Sequence, residues 1–195
     1  MCIRDRDRDV DQVIGNIRAQ ECFIQWISPA YGWMALNTDG AAKGCPGPAG
    51  GGGLIRDHLG QCIGAFASNL GTCSAIRAEF LALLQGLQLA WSKGIQLLDV
   101  RMDNKACISI IQGDQYNRGL NMHVVNQCKQ LINQNGWTVT LTHCYREANR
   151  AADWLANHGL DGDKLYDTFA SLPTDLAKVL REDLQGVAIA RRILI

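Results

Sequence analysis

Four carboxylates in four separate motifs are the side chains of this chain with the greatest capacity for chemistry. Each lies within or at the end of an apolar segment, where an ionised acid is costly unless it is paired or binds a metal. Four acids brought to one point would repel one another, and divalent cations would relieve that repulsion. They are Asp39, Glu79, Asp103 and Asp153, separated in sequence by 40, 24 and 50 residues.

Each acid also has a plain structural explanation. Asp39 precedes a glycine and could belong to a simple turn. Asp103 precedes an asparagine at a predicted helix start and could be only an N-cap. Glu79 and Asp153 could be solvated helix residues. A single shared site accounts for all four acids at once, whereas the structural explanations require four unrelated reasons.

The helix that carries Glu79 has the clearest pattern in the chain. Ser74 is a plausible N-cap, and the helix is predicted to continue to about Lys93 and to end at Gly94. Glu79 lies on its apolar stripe, which predicts that the carboxylate points toward the interior. The stripe consists of Ile76, Phe80, Leu83, Leu84, Leu87 and Trp91.

The first acid belongs to a predicted antiparallel meander. Residues 33–40 are typical of a strand that ends near Asp39, and residues 44–53 form a glycine-rich stretch. Two further runs of strand type, 53–57 and 61–68, flank a short turn that contains Gly60, which predicts a hairpin. Three antiparallel strands therefore precede the helix of Glu79.

Strands and helices alternate through the second half of the chain. A meander followed by strand–helix units predicts an α/β fold with a mixed sheet and right-handed crossovers. The predicted elements are a strand over 97–102, helices over 104–112 and 120–135, a strand over 137–145, and a helix over 147–158 stopped by Gly159.

Length and composition predict one folded domain with flanking segments. Hydrophobic residues make up 47% of the 195 residues, which is enough for a core. We assign the domain to residues 31–160. Residues 1–30 are predicted to be a tail or linker, partly disordered, because an Arg-Asp run at 4–9 has low complexity. Residues 161–195 are predicted to be a C-terminal extension with a short helix.

Charge and cysteine content limit the class of binding partner and the cellular compartment that the sequence predicts. Lys+Arg and Asp+Glu are both 19, so the chain lacks the basic excess of a strong generic nucleic-acid binder. The eight cysteines form no Cys-x-x-Cys pair, which predicts reduced thiols in an intracellular protein, nuclear or cytoplasmic, rather than a zinc site. No apolar run reaches the roughly 18 residues that a membrane span requires.

The four motifs in this order resemble the type 1 ribonuclease H domain, and more narrowly the ribonuclease-H-like domain of plant retroelements. The resemblance covers about residues 33–160. No single motif is specific for this family, but the complete set in this order is. The motifs are Thr38-Asp39-Gly40-Ala41, Gly47-Pro48-Ala49-Gly50, Leu54-Ile55-Arg56-Asp57, Ala78-Glu79-Phe80-Leu81-Ala82-Leu83 and Arg146-Glu147-Ala148-Asn149-Arg150-Ala151-Ala152-Asp153.

The resemblance implies both a fold and an activity. The fold is a three-layer, five-stranded mixed sheet with helices on both faces and the site at the ends of central strands. The activity is endonucleolytic hydrolysis of the RNA strand of RNA·DNA hybrids, leaving 5′-phosphomonoesters. All four acids would be catalytic metal ligands for two Mg²⁺ ions, with Mn²⁺ possible. The expected partner is the RNA·DNA hybrid, and no association with a membrane is expected. The expected oligomeric state is a monomer.

Members of this family distinguish RNA through contacts to successive 2′-hydroxyls in the minor groove. The glycine-rich stretch offers backbone that nucleic acid can approach closely. Carried onto this chain, the resemblance implies a set of substrate-binding residues. They are Gly40, Cys45, Ser74, Asn104 and Asn149.

The chain departs from the family pattern at several positions. Many active members carry a histidine in the loop before the last helix, but here only three residues separate Tyr145 from Asn149, and His143 lies earlier, in the strand. Cys45 stands where asparagine is common, and a cysteine is the weaker hydrogen-bonding group. Ala75-Ile76 replaces an asparagine pair that often precedes the catalytic glutamate.

The departures keep a second function open. Between Ile111 and Asn135 the chain offers only Arg118 and Lys129 as basic residues, so hybrid affinity should be modest and salt-sensitive. The alternative is a catalytically weak or inactive nucleic-acid-binding domain derived from a retroelement ribonuclease H. Proofreading exonucleases, which begin with Asp-x-Glu, and transposases, which end their triad with Glu, fit the motifs less well.

Overall fold

The computed structural model describes residues 19–113, 119 and 121–194. The Arg-Asp run at 4–9 and Arg118 lie outside these residues. The strands are β1 Ala19–Ile24, β2 Met34–Ala42, β3 Gly47–Arg56, β4 Cys62–Cys73, β5 Leu97–Met102, β6 Thr138–His143, β7 Asp167–Thr168 and β8 Ile189–Leu194. The helices are α1 Ala75–Ser92, α2 Lys105–Gln112, α3 Met122–Ile132, α4 Arg150–Asp161 and α5 Thr174–Leu184, with a 3₁₀ turn over Arg146–Ala148 before α4.

The main sheet has the strand order β6-β5-β2-β3-β4-β7. Strands β2, β3 and β4 form the predicted antiparallel meander, and β5 is parallel to both β2 and β6. The predicted five-stranded mixed sheet is therefore confirmed, with the two-residue β7 added at the edge against β4. Asn37 of β2 pairs with Arg101 of β5, so Asp39 and Asp103, each two residues further on, reach the same end of the sheet.

Helices cover both faces of this sheet, which confirms the three-layer arrangement. One core lies between the sheet and α1, α2 and α3, and includes Leu36, Phe80, Leu83, Leu87, Leu98 and Val124. A second core lies between the opposite face and α4 and α5, and includes Leu54, Ala65, Leu155, Leu176 and Leu180. Burial of these apolar faces is the main stabilising contribution available to a domain of this size.

Helix α1 follows the sequence pattern closely. Ser74 holds the N-cap position with extended backbone, although its side chain makes no capping hydrogen bond. Gly94, with φ +69°, follows the C-cap, as predicted. Most of the apolar stripe is buried, but Trp91 at the helix end is 45% exposed and contacts the buried Trp137 edge-on, with ring centroids 5.2 Å apart.

The glycine-rich stretch differs from the expectation because it is part of a strand. Strand β3 starts at Gly47, six residues before the strand predicted at 53–57. The glycines admit helix α4: a Cβ on Gly50 would lie 2.2 Å from the Leu160 nitrogen, and one on Gly52 would lie 2.4 Å from the Ala156 nitrogen. Close helix–sheet packing therefore accounts for glycine at these two positions.

Gly52→Ala should destabilise the protein by about 2 kcal/mol or more, because the new methyl group meets the α4 backbone, which cannot rotate away. Since α4 carries Asp153, any activity should fall as well. Denaturant unfolding measures the first effect. Gly64→Ala in β4 is the matched control: its Cβ would meet the flexible end of Lys93, so a similar loss there would contradict the packing argument.

Helices α3 and α4 have different bounds from those predicted. Gly159 does not stop α4, which continues to Asp161. Gly159 instead faces β4, where a Cβ would lie 2.5 Å from the Ser68 carbonyl oxygen. The helix also begins later, at Arg150, after the 3₁₀ turn. Helix α3 covers Met122–Ile132 of the predicted 120–135.

Segments from both flanking regions pair with each other. Strand β1, within residues 1–30, runs antiparallel to β8, within residues 161–195, with Cys22 opposite Arg191. We call this two-stranded sheet the β1–β8 ribbon. The seven cysteines of the described chain are free, and Cys45 among them is exposed. None of the helices in the described part of the chain is long and apolar enough to cross a membrane.

A buried polar network joins the flanking segments to the core. Arg56, 1% exposed, donates from Nη1 to Asp183 of α5 at 2.7 Å and from Nη2 to Asn37 at 3.1 Å, and its guanidinium lies 3.6 Å from the Trp26 ring centroid. Arg150 of α4 donates to the other Asp183 oxygen at 2.9 Å. Asp183 therefore binds two arginines, one of them fully buried, and Arg150 has a second counter-charge in Glu182 at 2.7 Å.

Asp183→Ala should destabilise the fold by about 3–5 kcal/mol, because it leaves buried Arg56 without its counter-charge. Denaturant unfolding tests this. The neighbouring Glu182→Ala removes an ion pair of similar length with Arg150, 2.7 Å, that is only partly buried, and should have a much smaller effect. Equal losses for the two variants would show that burial of the Arg56–Asp183 pair is not the cause.

Candidate active site

Three of the four predicted acids converge at one end of the sheet. Asp39 comes from the middle of β2, Asp103 follows the end of β5, and Glu79 comes from the first half of α1. One carboxylate oxygen from each lies within 4.8 Å of the others. Asp39 is 7% exposed and Glu79 is 6% exposed, so two of the three are buried.

The glycine after Asp39 makes this approach possible. A Cβ on Gly40 would lie 2.2 Å from the Glu79 backbone nitrogen, so only glycine lets α1 come this close to β2. The Asp-Gly pair is therefore not a turn, since it lies inside the strand. Gly40, predicted as a substrate-binding residue, has a packing role that is visible in the fold.

Asp103 is not the cap of the following helix. The N-cap of α2 is Asn104, whose Oδ1 accepts hydrogen bonds from the backbone nitrogens of Ala106 and Cys107 at 3.1 and 3.2 Å. Its Nδ2 donates to Glu79 Oε1 at 3.3 Å. Asn104 thus orients one acid of the site and leaves the Asp103 carboxylate available for another role.

Asp153 lies at the edge of the cluster. Its Oδ1 accepts a 2.6 Å hydrogen bond from Arg146 of the 3₁₀ turn, and its side chain is 30% exposed. It is not among the three acids whose oxygens meet within 4.8 Å. Its charge nevertheless raises the pKa values of both Asp39 and Asp103, which places it beside them.

The electrostatics of the site oppose ionisation of the buried acids. Burial, reinforced by Asp103 and Asp153, raises the pKa of Asp39 to about 7. Burial, reinforced by Asp39 and Asp103, raises the pKa of Glu79 to about 9. Burial also raises the pKa of Asp103, while Arg146 lowers it. Without a cation, the folded chain therefore holds protons on acids that would ionise freely in water.

The donor set fits a hard divalent cation. Glu79 Oε2 is buried and has no hydrogen-bond partner among the residues that the structure describes. An unpaired buried carboxylate oxygen is costly, and a cation would satisfy it. Clustered carboxylate oxygens are the ligands that Mg²⁺ prefers, whereas a softer metal would call for thiolates or imidazoles.

The other predicted substrate-binding residues occupy different environments. Asn149 is 1% exposed, accepts a hydrogen bond from Asn37 at 2.9 Å and donates to the Thr38 carbonyl at 3.0 Å. Cys45 is exposed in the loop between β2 and β3, and Ser74 is half-buried before α1. Neither of the last two is among the described residues that line the cleft of the acids.

That cleft, about 560 Å³, contains residues that the motifs did not identify. Its lining is Glu79, Asp103, Asn104, Lys105, His143, Tyr145 and Arg191. His143 ends β6 beside Asp103, and burial and Lys105 lower its pKa. Its position at the carboxyl end of a parallel strand was a usable sequence signal. The sequence contains no such signal for Arg191, which lies 38 residues beyond Asp153, the last of the four predicted acids.

A family model described as "Reverse transcriptase-like" matches residues 37–159, which include all four acids. The chain belongs to the reverse transcriptase-like family. Residues 37–159 begin in β2 and end within α4, so they comprise the five long strands of the main sheet and helices α1 to α4.

Two curated relatives of this family member carry ribonuclease H names. The chain is 36% identical over 173 residues to a protein of Arabidopsis thaliana named "Putative ribonuclease H protein". It is 30% identical over 125 residues to "Ribonuclease HI" of Halobacterium salinarum. The matches cover 89% and 63% of this chain but only 28% and 62% of the respective relatives' lengths.

Solved structures confirm the ribonuclease H fold. Ribonuclease H1 of Halobacterium salinarum aligns with a TM-score of 0.62 and 26% identity, over 66% of this chain and 98% of that chain. LC11-RNase H1, solved in complex with an RNA/DNA hybrid, aligns with a TM-score of 0.61 and 26% identity, over 66% and 96%. The resemblance seen in the sequence motifs is confirmed by these similarities.

Proposed function

We propose that this chain is a divalent-metal-dependent endonuclease that hydrolyses the RNA strand of RNA·DNA hybrids. The observation that carries the proposal is the convergence of Asp39, Glu79 and Asp103 within 4.8 Å, with Asp153 beside them. A purely structural role leaves three inward acids with raised pKa values unexplained. Membership of a family with ribonuclease H relatives supplies the reaction class.

Asp39, Glu79, Asp103 and Asp153 would hold two Mg²⁺ ions, or Mn²⁺, in this proposal. The ions would supply an activated water and charge stabilisation for the leaving 3′-oxygen, which yields a 5′-phosphomonoester. Asp39 is the best candidate for a ligand shared by the two ions, because it meets Glu79 and Asp103 within 4.8 Å and also interacts electrostatically with Asp153. Because the buried acids hold protons in the metal-free protein, cation binding would displace protons and strengthen as pH rises.

Several neighbouring residues would orient these ligands. Asn104 holds Glu79 through a 3.3 Å hydrogen bond, and Arg146 holds Asp153 through a 2.6 Å hydrogen bond. Asn149 fixes the backbone of Thr38, next to Asp39, from a buried position. We therefore assign Asn149 and Asn104 to ligand positioning rather than to direct substrate contact. Gly40, Cys45 and Ser74 remain proposed substrate-binding positions.

The proposed substrate is the hybrid, and the proposed unit is a single chain. All four acids come from one polypeptide, so the site needs no second copy. The structure of LC11-RNase H1 with an RNA/DNA hybrid shows that a relative of this fold binds such a duplex. The free cysteines of the described residues suit a reducing, intracellular compartment.

Cleavage of an end-labelled RNA·DNA hybrid by the full chain, with Mg²⁺ or Mn²⁺ and with a chelator, tests the proposal. Cutting confined to the RNA strand of the hybrid, absent on single-stranded RNA and double-stranded DNA, is expected. Hybrid binding without cutting by folded protein would instead identify the second candidate, a binding domain that has lost turnover. If the folded protein neither binds nor cuts the hybrid, both candidate functions are overturned.

A further inference from the structure

Arg191 of β8 lies at the acidic centre although it is remote from it in sequence. It lines the cleft of about 560 Å³ together with Glu79 and Asp103. It also lines a second cleft, of about 270 Å³, with Arg146 and Asp153. Arg191 therefore stands between two openings that both lead to proposed metal ligands. Burial and Lys105 are the larger causes of the lowered pKa of His143, and Arg191 adds to them.

The contacts of Arg191 hold its guanidinium in place but do not use all of its hydrogen-bond donors. Nη1 donates to both carboxylate oxygens of Glu147, at 3.0 and 2.9 Å, and the guanidinium carbon lies 4.7 Å from the Tyr145 ring centroid. Within the described part of the chain both hydrogen bonds start from Nη1, so Nη2 and Nε remain for an external acceptor. The side chain is 38% exposed, which makes it accessible to a ligand.

The β1–β8 ribbon explains why the side chain points toward the cleft. Successive residues of a strand point to opposite faces, so Arg191 faces the domain while its neighbour Arg192 faces solvent. Antiparallel pairing with β1 fixes this register, with Cys22 opposite Arg191. Two adjacent arginines on one strand thus have the same charge but different surroundings.

We propose that Arg191 binds a backbone phosphate of the RNA·DNA hybrid beside the acidic centre, and that the β1–β8 ribbon is the element that presents it. This inference rests on the proposed function. A guanidinium provides planar paired donors that match a phosphate, and a stacked, ion-paired guanidinium loses little entropy on binding. Arg191, with Lys105 and Arg146, gives the acidic centre a positive border in a chain of zero net charge.

A clamp on the 3₁₀ turn is the competing explanation, because Arg191 also ties Glu147 to β8. Two substitutions separate the roles, since both break the same ion pair. Arg191→Gln removes the guanidinium, whereas Glu147→Gln leaves it in place and frees it. A clamp predicts equal losses of affinity for the two variants, whereas a phosphate contact predicts a loss for Arg191→Gln only.

The test is hybrid binding by the full chain in an Asp39→Asn background, which prevents cutting, measured over a series of salt concentrations. Arg191→Gln should weaken binding about tenfold and reduce the salt slope by about one. Glu147→Gln should leave affinity unchanged or raise it. Arg192→Gln, the matched control on the outer face of β8, should change affinity only slightly.

Three results would overturn the inference. Equal affinities for Arg191→Gln and Arg192→Gln would show that the position of the charge does not matter. Equal losses for Arg191→Gln and Glu147→Gln, with matching shifts in melting temperature, would leave only the clamp. No hybrid binding by either the unsubstituted chain or the Asp39→Asn variant would overturn the proposed function as well, which distinguishes that failure from the first two.

Discussion

Asp39→Asn is expected to reduce Mg²⁺-dependent cleavage of RNA in a hybrid by more than about a hundredfold while the protein stays folded. Substitutions of residues that only orient metal ligands typically cost ~10–100-fold in affinity or activity, so loss of a central ligand should cost more. The amide keeps the shape of the carboxylate but removes its charge. Single-turnover cleavage with saturating enzyme is the appropriate measurement, because it isolates the chemical step from product release.

Asp161→Asn is the matched control for this substitution. Asp161 is a carboxylate at the end of α4, exposed and paired with Lys43 at 2.7 Å, and it contributes nothing to the acidic cluster. The Asp161→Asn variant should cleave the hybrid at the rate of the unsubstituted protein. Substantial cleavage by Asp39→Asn would show that the three converging acids do not form the catalytic centre.

The metal-free protein is expected to lose stability as pH rises, and Mg²⁺ is expected to reverse that loss. The folded-state pKa of Asp39 is about 7 and that of Glu79 about 9, against ordinary values of 3.8 and 4.5. Between the ordinary and the raised pKa, the folded state keeps a proton that the unfolded state has released. The free energy of unfolding therefore falls with pH in this window, by up to about 1.4 kcal/mol per pH unit for each group.

The pH window follows from the two raised pKa values. The stability contributed by the proton on Asp39 is fully present below about pH 4 and is lost as pH rises to about 7. The stability contributed by the proton on Glu79 is lost at the same rate per pH unit but over a wider range, up to about pH 9. Mg²⁺ binds the ionised acids of the folded state only, so it stabilises most at high pH. Thermal unfolding with a chelator and with Mg²⁺, at about pH 5 and about pH 8, measures both effects.

Glu79→Gln separates the acidic cluster from the rest of the chain in this experiment. The variant lacks the group with the largest rise in pKa and one cation ligand, so its metal-free stability should depend less on pH and respond less to Mg²⁺. A pH profile for Glu79→Gln identical to that of the unsubstituted protein, with no Mg²⁺ response in either, would refute the assignment of these acids to a cation site.

The acidic centre was predictable because its parts carry local signals. Glu79 stands on the apolar stripe of a helix with clear ends, Asp39 stands inside an apolar strand, and Asp103 directly follows one. Once adjacent parallel strands are assumed, their carboxyl ends must meet at one edge of the sheet. The strand and helix order was readable for the same reason, since hydrophobic periodicity records which face of an element is buried.

Glycine was the residue whose meaning the sequence left open. A glycine-rich stretch has the same local composition whether it forms a loop, meets a ligand or lies beneath a helix. Gly50 and Gly52 lie beneath α4, and Gly159 lies within α4 against β4. The packing of this one helix on the sheet therefore explains why glycine is required at all three positions. The sequence therefore missed the early start of β3 and the continuation of α4.

By itself, the sequence determined the order of the elements from β2 to α4, the mixed α/β class and the four candidate acids, because these depend on local periodicity and motif spacing. Only the tertiary structure decided that Asp183 neutralises buried Arg56, that the β1–β8 ribbon forms, and that Arg191 reaches the acidic cleft. Asp183 lies 127 residues from Arg56, and Cys22 lies 169 residues from its ribbon partner Arg191. Arg191 itself lies 88 residues beyond Asp103 of the acidic cleft. No local pattern encodes such contacts, because they arise from long-range packing and charge complementarity that exist only once the core has assembled.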